Sequence, residues 1–122
     1  MLYAAAALMF VTGLAHSYLG ERYVLMRLQR DSLPKLLGST EFTAGTLRFV
    51  WHLLTVAWWG LACLVIFISN SSLTSVHTLQ VIAAVAVISA IPPLYFTRGK
   101  HLSWIVFLLV GALLLFASGA ER

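Results

Sequence analysis

The sequence predicts an all-α fold, a four-transmembrane-helix bundle with both termini on the outer side of the membrane. Three observations carry this prediction. Only 10% of the 122 residues are charged and 61% are hydrophobic, with a mean hydropathy of +0.93. A soluble domain carries about 25% charged residues, so this surface is built for lipid rather than water. The apolar runs reach the roughly 20 residues that a bilayer-crossing helix needs. They are also far too long for barrel strands, and a chain in hydrocarbon must satisfy its backbone internally, which selects helices. Finally, the charges fall in blocks. Residues 1–20 carry none, residues 21–48 carry eight charged side chains (Glu21, Arg22, Arg27, Arg30, Asp31, Lys35, Glu41 and Arg48), and residues 49–97 carry none. Arg98 and Lys100 follow, and the next charges are Glu121 and Arg122.

The first span is expected at Leu2–Leu19. No basic residue precedes its apolar core, whereas Arg22, Arg27 and Arg30 follow it. That is the pattern of a retained helix with its N-terminus outside, not of a cleaved signal peptide. The connection over 21–48 is the long one. "ERYVLMRLQR" is able to extend the first helix, and "DSLPKLLG" predicts a short interfacial helix over 33–37, capped by Ser32, started at Pro34 and ended by Gly38. The second span is placed at 49–68, with Ser39–Thr40 as a cap for an earlier start. "SNSSLTSVHT" reads as a polar turn. The third span follows at 76–96. Its Pro92 and Pro93 free the carbonyls of Ile88 and Ser89, which implies either a kink or a cavity wall. The fourth span closes the single membrane domain at 102–118.

Of the eight basic side chains, all but Arg122 lie in the first and third connections. The positive-inside rule then makes those connections cytoplasmic and predicts a multi-pass protein of a bacterial inner membrane. The net charge of +4 reports this orientation and gives no reason to expect nucleic-acid binding. Cys63, the lone cysteine, reads as a small core hydrophobe.

Candidate functional residues come from depth. His16 and His52 both lie three residues inside a span end, about 4–5 Å below the same boundary, and His101 lies at that boundary. Three of the four histidines thus gather at one membrane face from three helices. Imidazole is a ligand for zinc, copper and iron, and a haem between facing helices needs two axial histidines at one level. His16 and His52 are therefore the candidate cofactor ligands for a haem or transition metal, with His101 as a further metal ligand. Glu21, Arg48, Tyr95 and Lys100 are candidate ligand or ion-pair groups. On a regular helix Glu21 is rotated roughly 140° from His16, so an interfacial pair with Arg48, Arg22 or Lys100 fits it better. No HExxH, CxxC or ExxH motif supports a metal.

Two other readings stay open. A pocket lined by His16, Glu21, Arg48, His52 and Lys100 would suit an anionic lipid headgroup or small molecule, in a binding protein, an enzyme or, as an oligomer, a transporter. Alternatively the histidines only specify helix pairing in an accessory subunit of a larger membrane complex. Trp51 and Trp104 are expected to be interfacial anchors. At "HSYLGER" and "RFVWHLLTVAWWG" the chain resembles a group of small bacterial inner-membrane proteins of about this length. The resemblance implies a four-helix membrane protein and no activity.

Overall fold

A computed structural model describes residues 1–120 of the chain; Glu121 and Arg122, expected to follow the last span, lie outside the described residues. The expected all-α architecture is present. The helices are α1 (Leu2–Leu19), α2 (Thr40–Ser69), α3 (Ser75–Ser89), α4 (Ile91–Phe96) and α5 (Ser103–Ala120). They form four rods long and apolar enough to cross a membrane: Leu2–Arg27, Thr40–Ser69, Ser75–Phe96 and Ser103–Ala120.

Local chemistry sets the ends of these rods. α1 runs on without interruption into a π-helical turn over Gly20–Val24 and a 3₁₀ turn over Leu25–Arg27. α2 starts nine residues before the placement at 49, because Ser39 caps it by accepting the Phe42 N–H at 3.1 Å. Thr74 caps α3 in the same way through His77 N–H. Pro92 and Pro93 break the third rod at Ala90, between α3 and α4. The break packs closed: Pro93 is fully buried and Ser89 nearly so. It is a kink, not a cavity wall.

The interfacial helix expected over 33–37 is not formed. The chain makes one 3₁₀ turn at Arg30–Ser32 and then a tight reversal in which Ser39 N–H donates to Leu36 C=O. Leu37 and Gly38 take positive φ (49° and 81°) in that reversal, a geometry that glycine accepts freely and that ends helical winding. Thr43 fastens it to α2 by donating to Pro34 C=O at 2.6 Å.

The rods pack as two antiparallel pairs, α1 on α2 and α3 on α5, joined where α2 meets α3 and α4. Both long connections, Gly20–Ser39 and Thr97–Leu102, lie at the same end of the bundle. That end carries Arg22, Arg27, Arg30, Lys35, Arg48, Arg98 and Lys100. The outward faces are apolar, with Leu8, Val11, Leu14, Leu109, Leu113 and Phe116 among the exposed side chains, as a lipid-facing surface requires.

Candidate functional site

The α1–α2 seam holds most of the polar side chains that the sequence singled out. From the basic end inward, Arg48 Nη2 meets Glu21 Oε1 at 2.8 Å. Next, Ser17 Oγ lies 2.8 Å from His52 Nδ1 and 2.6 Å from Thr55 Oγ1. The Thr55 hydroxyl donates to Gly13 C=O at 3.0 Å. Deeper still, Trp59 Nε1 donates to Phe10 C=O at 3.2 Å. At the far end Tyr3 OH bonds Asn70 Oδ1. Two antiparallel helices with side chains four apart on facing stripes make this ladder possible. Gly20 makes it tight, since a Cβ there would collide with the Trp51 indole.

His16 and His52 do not converge on a common centre. His16 stacks on Trp51 (centroids 4.7 Å apart, planes 4° apart) and donates from Nε2 to Trp51 C=O at 3.3 Å. Trp51 Nε1 returns a bond to His16 C=O at 3.0 Å. His52 stacks instead on Phe96, 5.4 Å away. His101 stacks on Phe42, meets Phe49 edge-on, and its Nδ1 takes Ser103 as partner. Among the described residues no group of three or more His, Cys, Asp or Glu side chains is placed to hold a metal ion. No metal or haem centre of His16, His52 and His101 is shown: each ring meets a separate aromatic face and its own hydrogen-bond partner.

The remaining expectations divide. Glu21 pairs with Arg48, one of the partners anticipated for it. Tyr95 is 75% exposed and lines neither cleft. Trp51 is a seam residue, stacked on His16 and bonded to its carbonyl. Trp104 bonds Gly99 C=O and braces the α4–α5 turn. His77 is tied to Ser72 C=O at 2.7 Å and stacked on Phe67, which fixes the α2–α3 turn.

Lys100 and Arg48 lead to a feature that the sequence reading assembled only in part. A cleft of about 550 Å³ opens at the basic end between α2, the α4–α5 turn and the 3₁₀ turn. Arg30, Arg48, Arg98 and Lys100 line it, with Glu41, Ser39 and Thr97 as polar company and Phe42, Ala44, Gly45 and Phe96 as its floor. Among the described residues the one pair between a carboxylate and a guanidinium or ammonium group within 4.0 Å is Glu21–Arg48, so Arg30, Arg98 and Lys100 have no carboxylate at that distance. Gly45 lets α4 approach α2 closely, since a Cβ there would strike the Phe96 carbonyl. Arg98 is held at φ 52° by the turn that Gly99 N–H closes onto Leu94 C=O at 2.9 Å. A non-glycine residue in that region carries backbone strain and is frequent at ligand sites. His16 and His52 do not line this cleft. A second, apolar groove of about 400 Å³ runs past His16, Leu25, Leu47 and Trp51 on the other side of α2.

Arg30, Arg98 and Glu41 were missed as site residues. The available signal was the phase of α2: once the helix starts at Thr40, Glu41, Gly45 and Arg48 fall on one face, opposite the Arg98–Lys100 turn. Compared with family models, curated proteins and solved structures, the chain matches none.

Proposed function

We propose that this chain is a multi-pass bacterial inner-membrane protein that binds a phosphate-bearing anion in the basic cleft, at the cytoplasmic level of the bilayer. The observation that carries this reading is the gathering of Arg30, Arg98 and Lys100, without carboxylate partners, around one cleft with Arg48. Its volume lies within the range of roughly 300–1,000 Å³ common to ligand pockets. Four cations line the cleft against Glu41 within it and Glu21 beside it, an excess of positive charge that an anion relieves. Basic pockets between helices on the cytoplasmic side are the usual docking place for anionic lipid heads. The same guanidinium and ammonium groups would take a free phosphate ester.

The histidine layer has a different role in this reading. His16 and His52 specify how α1 seats on α2, a packing device rather than a metal or haem centre.

The test uses the purified full chain in nanodiscs of phosphatidylcholine, with thermal unfolding as the readout. Two arms separate the ligand sources: replacing part of the lipid with phosphatidylglycerol, and adding inorganic phosphate to the neutral discs. A ligand that binds only the folded state raises the transition temperature in proportion to the logarithm of its concentration. Stabilisation in the lipid arm alone assigns a headgroup, and stabilisation in both arms assigns a soluble phosphate. No change in either arm overturns the reading and leaves an accessory subunit.

A further inference from the structure

The basic cleft contains one carboxylate, and its position bears on what the cleft can hold. Glu41 lines the cleft together with Arg30, Arg48, Arg98 and Lys100. Among the described residues none of these cations lies within 4.0 Å of it, the one such pair being Glu21–Arg48. Glu41 belongs to the first turn of α2, where the helix macrodipole favours a negative charge. That role needs no ligand. Left free inside a cleft of cations, the same carboxylate also offers an acceptor to whatever those cations bind.

The order of the groups along α2 is informative. The helix begins at the basic end, so Glu41 stands in its outermost turn and Arg48 about two turns deeper, roughly 10 Å along the axis. That separation suits a headgroup rather than a bare phosphate. A lipid entering from the bilayer presents its parts in the matching order: apolar chains, then phosphate, then the terminal group of the head. The Phe96 ring lies on the cleft floor, beside the turn that carries Arg98 and Lys100. Charge narrows the choice further. Four cations against Glu41, with Arg48 already paired to Glu21, leave two positive charges in excess. The excess favours an anionic ligand over a zwitterionic one. A second negative charge at the outer end would face Glu41 and be repelled, whereas a hydroxyl there would donate to it.

We propose that Glu41 is the specificity-determining residue of the cleft, and that the ligand is a phosphodiester whose headgroup carries a hydroxyl, of the phosphoglycerol type. The phosphate meets Arg48, Arg98 and Lys100, and the hydroxyl donates to the Glu41 carboxylate. This inference rests on the anion reading of the cleft.

The test is native mass spectrometry of the full chain, comparing retention of phosphatidylglycerol and of phosphatidic acid, each against phosphatidylcholine. Phosphatidic acid has a phosphate monoester and no headgroup hydroxyl. One accessible hydrogen bond gives roughly a fivefold preference for phosphatidylglycerol in the unaltered chain. Glu41→Ala should abolish that preference, and Glu41→Gln, which keeps an acceptor without the charge, should retain part of it. A carboxylate that served only the helix would change stability in both variants and leave lipid selectivity unmoved. The deacylated headgroup, glycerophosphoglycerol, added to phosphatidylcholine nanodiscs, identifies the source. Stabilisation that Glu41→Ala removes assigns a soluble phosphodiester; none, with the lipid preference intact, assigns the lipid. Phosphatidic acid retained as well as phosphatidylglycerol, or a preference that Glu41→Ala leaves unchanged, would overturn the inference while the anion reading stands. Neither lipid retained above phosphatidylcholine would overturn both.

Discussion

The two helix pairs solve the same problem by different means. Lipid is as apolar as the helix faces, so neither pair gains a hydrophobic driving force from associating. α1 and α2 are stitched: indole, hydroxyl and carboxylate groups on one helix bond to carbonyls and side chains on the other at successive depths. α3 and α5 are close-packed: their contact buries Ala83, Ala86, Gly111 and Ser118, and the hydrogen bond of Ser118 goes to its own helix at Leu115 C=O. The difference shows where charge enters the packing of this molecule. Of the two, the stitched seam carries the Glu21–Arg48 ion pair, and its basic end adjoins the basic cleft.

The largest expected effect tests the close-packed pair. A Cβ on Gly111 would stand 2.5 Å from Val87 Cγ2 and 3.3 Å from Ala83 C=O. Gly111→Leu should therefore destabilise the protein by about 3 kcal/mol, the upper end of overpacking costs, in an unfolding titration in mixed micelles. A smaller loss there than for a hydroxyl deletion in the other seam would erase the contrast.

Thr55→Val follows. It keeps the shape and removes the hydroxyl that joins Gly13 to Ser17, so it should cost about 1 kcal/mol, between the mean and the maximum for polar contacts in membranes. Loss of the Thr55 contact should also leave the α3–α5 pair intact, which a helix-pair crosslink would report. The smallest effect on stability belongs to the cleft. Arg98 and Lys100 are exposed and unpaired, so Arg98→Gln with Lys100→Gln should change stability by less than about 0.5 kcal/mol.

Much of the fold was legible because bilayer thickness converts composition into length. The runs from Leu2, around Phe49, before Phe96 and after Leu102 needed no tertiary information to be recognised as spans. Glu21–Arg48 was legible too, since both sit at span ends on one side. The orientation of individual faces was not. Trp51 looked like an interfacial anchor because depth alone was visible; its stacking on His16 depends on the rotation of α2 relative to α1. The 33–37 segment carried helical signals, yet Pro34 C=O and Leu36 C=O found better partners in Thr43 and Ser39 N–H. Depth is only one coordinate of the histidine layer, and the rings stack on Trp51, Phe96 and Phe42.

The central claim is that the seam holds the helices while the cleft holds the ligand. The most direct measurement compares retention of an anionic phospholipid by three forms of the protein in native mass spectrometry: the unaltered chain, His16→Gln, and the Arg98→Gln, Lys100→Gln pair. Each basic side chain near an anionic headgroup contributes about 1 kcal/mol, so the double change should weaken retention about thirtyfold, while His16→Gln should leave it near the unaltered value. Retention lost in His16→Gln and kept in the double variant would contradict the account and return the histidines to the centre of the site.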